Sequence, residues 1–410
     1  MARRGRGQGR GGSAAALWRQ WLGPQGVPPP LDRFLASARP SGDAFIQLTR
    51  AAAWAPTVAA ALDPRGAELP GGVPLCDALR RLDGRDVLAA SAVLSGAPGP
   101  KPVAAAVEAL RRRLRDARAW PARALAHGVP AGFGPHLQRW AALDGDERVL
   151  AWLAAQRTRP PLWVRPRRAD AARQLEREDF TVTPDDSGAL RCRGAAAITA
   201  TAAWRTGAIE VQDLASQRCG ALARVAPGRL AWDVCAGRGG KTVQIADGLG
   251  GRGAVHATDV DPRKLAELRT RVRRAGLADV VRVHRWDGRE RPAFGPEAAR
   301  GFDAVLVDAP CSATGTWRRN PDARLRLDPA RLTAHGELQR RLLRLGAAAV
   351  RPGGRLVYVT CSWCPEEDED VVDAVLAELD GAFARTSAAR FGPPDLDSDT
   401  LFAAVLTRTR

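Results

Sequence analysis

The stretch that most constrains the fold is Phe302–Asn320, FDAVLVDAPCSATGTWRRN. Ala304, Val305, Leu306 and Val307 form a short apolar run, long enough to cross a sheet buried on both faces. Asp308-Ala309-Pro310-Cys311 then stops it. Pro310 has no N–H to give to a ladder, so Asp308 and Cys311 belong at the carboxyl end of the strand. In open α/β sheets that end is where ligands bind. Taken alone, the stretch is equally well a structural acid beside a small apolar thiol. The balance shifts at Arg355–Ser362, RLVYVTCS, a second apolar run that ends in Thr360-Cys361-Ser362. Two strands of one sheet then each deliver a Cys to the same edge, which suits covalent chemistry on an electrophilic ring.

Around these two strands the residues from Leu230 onward alternate between strand and helix, which implies a parallel, doubly wound, Rossmann-like α/β sheet. Leu230–Val234 is the first strand, and Cys235-Ala236-Gly237-Arg238-Gly239-Gly240-Lys241 is the loop after it. The helix that continues from Thr242 turns backbone N–H groups toward that loop. Ala254–Asp259 is the second strand and ends in an acid about 20 residues past the glycines, the position that hydrogen-bonds ribose hydroxyls. Val281–His284 is the third, followed by Asp287, a carboxylate available to an adenine amino group. Phe302–Val307 and Arg355–Thr360 are the fourth and fifth strands. Pro365-Glu366-Glu367 reads as the start of a helix, with Pro and acids in its first turn. The glycine spacing is neither G-x-G-x-x-G nor a P-loop, so a nucleoside site without a pyrophosphate is favoured. S-adenosylmethionine fits it, with ribose on Asp259, adenine near Asp287 and methionine beside Cys235–Lys241.

The front of the chain differs. Residues 1–13 are Gly- and Arg-rich and read as a disordered basic tail. Residues 14–156 are helical in period, with examples over Asp43–Leu62, Val103–Arg118 and His136–Ala155. Residues 157–215 read as a small strand–helix–strand–strand module, an α+β RNA-binding subdomain, and residues 216–410 as the methyltransferase-type domain. The formal charge is +17, and it is nearly all arginine, because Lys occurs only at Lys101, Lys241 and Lys264. Arg forks match phosphates and stack on bases, so RNA is the expected partner. The arginines 111, 112, 113 and 115 crowd one helix face, as an RNA-backbone contact or as a solvated surface. The seven cysteines show no paired zinc spacing, so no metal is expected and a reducing cytoplasm is. No apolar run approaches the ~18 residues of a membrane span. The chain is expected to act as a monomer.

The stretches DVCAGRGGKT, ATDVDPRKL, VHRWDGR, VLVDAPCSATGTWRRNPD and YVTCSWCPEE resemble the Nol/Nop/Sun group of RNA cytosine-C5 methyltransferases. Within it, Ser312-Ala313-Thr314-Gly315, the following RRNPD, the upstream PLWVR and VQDLASQ, and DSDTLFAAVL are most similar to the bacterial RsmB/Sun branch. The likeness is specific from about Arg157 to Arg410. It implies a helical domain at the N-terminus similar to the antitermination factor NusB, and a cytosine of small-subunit (16S) ribosomal RNA as target. It also implies that Cys361 attacks carbon 6, that Asp308 hydrogen-bonds the ring at N3, and that Cys311 assists loss of the carbon-5 hydrogen. Lys241 is placed to hold Asp308 or the methionine carboxylate. Two positions depart from the group: Gly237-Arg238 stands where Ala-Pro is common, and Thr400 replaces a common glycine. A tRNA target uses the same catalytic core and remains an alternative. A non-catalytic RNA-binding assembly factor is a weaker one, since it has no need of Asp308, Cys311 and Cys361 together. From the residues alone, either thiol reaches the edge as nucleophile.

Overall fold

The computed structural model describes residues 13–63 and 71–410. The expected basic tail lies outside the described residues through position 12, and Ser13 caps the first helix, its Oγ accepting from the Ala16 N–H at 3.3 Å. The chain packs as two compact units. The first is the chain up to Arg159 together with Thr316–Arg331, and the second is Pro160–Gly315 with Leu332–Arg410.

The first unit is helical, and its core gathers Trp18, Trp21, Leu48, Ala55, Val87 and Val107. The expected helix over Asp43–Leu62 is Gly42–Leu62, and that over Val103–Arg118 is Lys101–Arg115, which ends at Asp116. The single helix expected over His136–Ala155 is two, Gly134–Asp144 and Asp146–Ala155. Gly145 divides them at φ +91°, a conformation an α-helix does not contain. The sequence reading gave Thr316–Arg331 to the methyltransferase region, but here it packs among these helices. Its Arg324 is fully buried, donating to the carbonyls of Ala53 at 3.1 Å, Gly128 at 2.8 Å and Trp317 at 3.2 Å. Asp322 accepts from the Leu31 N–H at 3.0 Å.

The second unit carries two sheets. The smaller is antiparallel and built from β1 (Leu162–Pro166), β2 (Thr181–Pro184), β3 (Leu190–Arg193) and β4 (Ile209–Val211), in the order β2-β3-β1-β4. The sequence reading contained the first three. The larger contains β5 (Leu230–Asp233), β6 (Ala254–Asp259), β7 (Val281–Arg285), β8 (Phe302–Asp308), β9 (Val350–Thr360), β10 (Phe383–Phe391) and β11 (Leu401–Arg408). Its order is β10-β11-β9-β8-β5-β6-β7. The five strands β5 to β9 run parallel, as expected, whereas β11 is antiparallel to β9 and β10 to β11. The winding therefore reverses between β5 and β8, the switch point at which an open sheet leaves a crevice. Helices Gly240–Gly248, Pro262–Arg274, Leu332–Ala349 and Glu369–Glu378 accompany the strands. Trp232, Val305, Val307, Leu356 and Tyr358 form the core of one layer, and Val243, Leu268, Leu306, Val357 and Val359 that of the other. Alternate residues of β8 and β9 thus serve opposite layers, which is why both read as continuous apolar runs.

Candidate active site

The loop after β5 is shaped by two glycines in the left-handed region, Gly237 at φ +54° and Gly239 at φ +85°. A Cβ on Gly239 would meet Leu268 Cγ at 2.8 Å, so the loop lies close on the helix Pro262–Arg274. Backbone N–H groups tie it to the end of β6: Ala236 donates to the Thr258 carbonyl at 2.8 Å, and Gly237 to Asp259 Oδ2 at 2.9 Å. Asp259 Oδ1 accepts from the Asp261 N–H at 2.8 Å. The buried Asp259 carboxylate therefore has one backbone donor on each oxygen and a lone pair left on each, which suits it to the two hydroxyls of a ribose. Asp287 stands exposed after β7, its Oδ1 accepting from the Arg289 N–H at 3.0 Å. Arg238 is also exposed and pairs with Glu267 at 3.0 Å. Burial pushes the Cys235 thiol well up. The donor set and the open backbone at Gly237 fit an adenosyl group.

Beneath the loop lies a residue the sequence reading passed over. Asp233 closes β5 at 1% exposure, and its Oδ2 accepts from Thr242 Oγ1 at 2.6 Å. Its Oδ1 is buried with no partner among the described residues. Burial pushes this carboxyl up to about 7. It opens the stretch DVCAGRGGKT, but its burial was not legible there, because an acid ending a strand has the same appearance whether it is buried or solvated.

Across the crevice, β8 and β9 bring the two thiols together: Cys311 Sγ lies 3.3 Å from Cys361 Sγ. The hydrogen bond with Cys361, and then burial, hold the Cys311 thiol well above its ordinary value. Lys241, in the first turn of the helix after the glycine loop, donates to Asp308 Oδ2 at 2.8 Å. Burial alone would lower the Lys241 pKa, but the Asp308 carboxylate outweighs it and the ammonium is held above its usual value. One ion pair thus links the helix after the glycine loop to the end of β8, three residues before Cys311.

The loops bearing the thiols are fixed by several contacts. Gly315 N–H donates to the Cys361 carbonyl at 2.9 Å, and Thr400 N–H to the Gly315 carbonyl at 2.9 Å. A Cβ on Gly315 would stand 1.9 Å from the Thr400 oxygen, so that position takes glycine alone. Ala313 sits at φ +57°, a strained conformation for a residue with a Cβ. Pro365 does not begin a helix: Asp368 and Asp370 N–H groups fold back onto its carbonyl at 3.2 and 3.0 Å, and the helix starts at Glu369. That turn buries Glu367 completely. Glu367 accepts from the Ser312 N–H at 2.8 Å, from Ser312 Oγ and from Gln339 Nε2 at 3.1 Å, with His335 Nδ1 at 3.3 Å. Burial alone would raise its pKa; hydrogen bonds from His335, Ser312 and Ser362 outweigh that and hold the carboxyl low. The next acid, Asp368, accepts from Thr360 Oγ1 at 2.5 Å, and Arg390 lies 3.4 Å away. The sequence signal for both was the acid run after Cys364, read above as the charged end of a helix.

Among the described residues no three His, Cys, Asp or Glu side chains converge to hold a metal ion, and no helix is long and apolar enough to cross a membrane. The seven-stranded order with its glycine loop at the switch point defines the class: a Rossmann-like methyltransferase with a helical region at its N-terminus. Residues 222–406 match the family described as 16S rRNA methyltransferase RsmB/F. The ribosomal RNA small subunit methyltransferase B of Xanthomonas campestris pv. campestris is 30% identical over 368 residues, which span 85% of this chain and 82% of that protein. The chain belongs to the RsmB/F methyltransferase family. In fold it is similar to the solved structure of PH0851, with TM-score 0.69 and 20% identity over 92% of this chain and 93% of that one. A methyltransferase homolog protein from Pyrococcus horikoshii gives TM-score 0.60 and 24% identity over 71% of this chain and 99% of its own.

Proposed function

We propose that the chain methylates carbon 5 of a cytosine in RNA, with 16S ribosomal RNA as substrate, through a covalent bond from Cys361 to carbon 6. The observation that carries this is the 3.3 Å approach of Cys311 and Cys361 at the ends of neighbouring parallel strands. The name of the Xanthomonas relative supports the ribosomal substrate.

Carbon 5 of cytosine is too weak a nucleophile to take a methyl group unaided. Addition of the Cys361 thiolate at carbon 6 makes carbon 5 enamine-like. As the sulfur adds, negative charge builds on the ring edge at N3; a proton held between N3 and Asp308 neutralises it, and the Lys241 ammonium behind Asp308 offsets the carboxylate's charge. S-adenosylmethionine, when bound, supplies an electrophilic methyl group. Asp259 would hold its ribose, Asp287 its adenine, and the loop Cys235–Lys241 its methionine end. Before attack, the protonated Cys311 donates toward the Cys361 sulfur. Afterwards the carbon-5 proton must leave to a base, restoring the ring double bond and breaking the carbon 6–sulfur bond; Cys311, once its own proton has passed to solvent, assists that release by taking it. The target base reaches the thiols only out of its stack, so a loop or single-stranded site is expected.

The test is to incubate single variants with 16S RNA and S-adenosylmethionine and run denaturing gels. Cys311→Ala is expected to accumulate a cofactor-dependent protein–RNA adduct, and Cys361→Ala to form none and methylate nothing. The opposite pattern would make Cys311 the nucleophile and overturn the assignment.

A further inference from the structure

The helical unit carries a half-open cavity of about 460 Å³ that the proposed chemistry does not use. Its wall is apolar where Trp54, Leu94, Leu110 and Leu114 line it, and four arginines, at 111, 115, 123 and 157, surround it without an acid among the lining residues. The arginines are only partly neutralised. Arg111 and Arg115 stand 4.0 and 3.9 Å from Glu108, the outer limit of an ion pair, with much of each side chain in solvent. Arg123 is 2.9 Å from Asp146, also a largely exposed group. Surface pairs of this kind leave most of the field in place.

Inside, the polar atoms are satisfied except one. Trp54 Nε1 donates to Ser95 Oγ at 3.0 Å, and Thr57 Oγ1 to the Leu125 carbonyl at 2.5 Å. His127 Nδ1 is buried with no partner among the described residues. Burial, and then the charge of Arg157, push the His127 pKa down to about 4, so the ring is neutral at physiological pH. An apolar wall ringed by cations matches a flat ring that carries phosphate.

We infer that this cavity receives one unstacked nucleotide of the substrate RNA, its base against the apolar wall, its flanking phosphates on the arginines. This rests on the RNA-methyltransferase reading. The helical unit then grips the strand by a base pocket as well as by charge, which separates it from a merely basic surface. A free nucleotide has the same chemistry, but it lacks the neighbouring phosphates that four separate guanidiniums call for.

The experiment measures binding of a short, fluorescein-labelled, single-stranded pyrimidine RNA to the full chain across a salt series. Ala117 lines the cavity, and Ala117→Trp puts an indole where the base would stack, without changing charge. It is expected to weaken binding about tenfold or more, the scale of one lost base stack, with the salt slope unchanged. Joint replacement Arg111→Gln and Arg115→Gln is expected to flatten the slope by about 1.4, two phosphate contacts on a single strand. Wild-type affinity in folded Ala117→Trp would overturn the proposal, as would displacement of the RNA by micromolar cytidine monophosphate. Should Ala117→Trp not fold, Leu114→Gln makes the apolar wall polar without changing charge; unchanged affinity there overturns it equally. The adduct assay on Cys311→Ala, run in parallel, reports on the catalytic reading alone, so either idea can fail without the other.

Discussion

At the scale of single residues, Asp233 makes the clearest physical claim. Unfolded, an aspartate ionises near 3.9; folded, burial holds this one up to about 7. Between those values the folded chain keeps a proton that the unfolded chain has lost. Stability therefore falls as pH rises through this window, by roughly 1.4 kcal/mol per unit of separation at most. Asp233→Asn keeps the oxygen that accepts from Thr242 and removes the titration. The difference in urea midpoint between variant and wild type is expected to grow in the variant's favour from pH 5 to pH 8. A constant difference would mean that Asp233 titrates normally. The opposite sign applies to Glu367, whose lowered pKa adds stability above the usual carboxylate range and loses it on acidification.

At the scale of elements, the loops that carry the thiols depend on close backbone approach. Gly315→Ala would force a Cβ to 1.9 Å from the Thr400 carbonyl, a backbone atom that cannot swing aside. It is expected to cost about 1–3 kcal/mol and to reduce adduct formation by disturbing the Gly315–Cys361 hydrogen bond. Gly42→Ala, with nothing within 4 Å of the added carbon, is the control and should leave the melting temperature within a degree or two of wild type. The parallel strands were legible because β8 and β9 are buried on both faces and so read as plain apolar runs. β4 was not, because it is three residues long with Glu210 at its centre. That acid is fully buried and survives there by pairing with Arg271 at 2.8 Å and Arg274 at 2.6 Å, partners far away in sequence. β10 escaped notice because most of its side chains face solvent, leaving no apolar rhythm to find. Both thiols, Asp308, Lys241 and Asp259 were visible as strand-end and loop chemistry. Glu367 was not, because the chain turns at Pro365 instead of coiling, and no local rule separates those two uses of a proline followed by acids.

At the scale of the whole molecule, the chain crosses between its two units more than once. Cutting before Pro160 removes the helices but keeps Thr316–Arg331, whose Trp317, Arg324 and Leu325 are fully buried in the intact protein. The fragment 160–410 is therefore expected to aggregate or to melt well below the full chain. Replacing 316–331 by a flexible linker in that fragment should restore solubility, as light scattering during a thermal ramp would record. Equal melting of fragment and full chain would show that the segment does not need its helical partners. The same crossing sets a timetable during synthesis. The helices leave the ribosome first, but the peptide that completes their packing follows about 160 residues later. At about 5–20 residues per second that is a delay of roughly 10–30 s. Throughout it the carbonyls of Ala53 and Gly128 lack the guanidinium of Arg324, and the nascent helical bundle stands as an unfinished fold, open to chaperones and to mispairing.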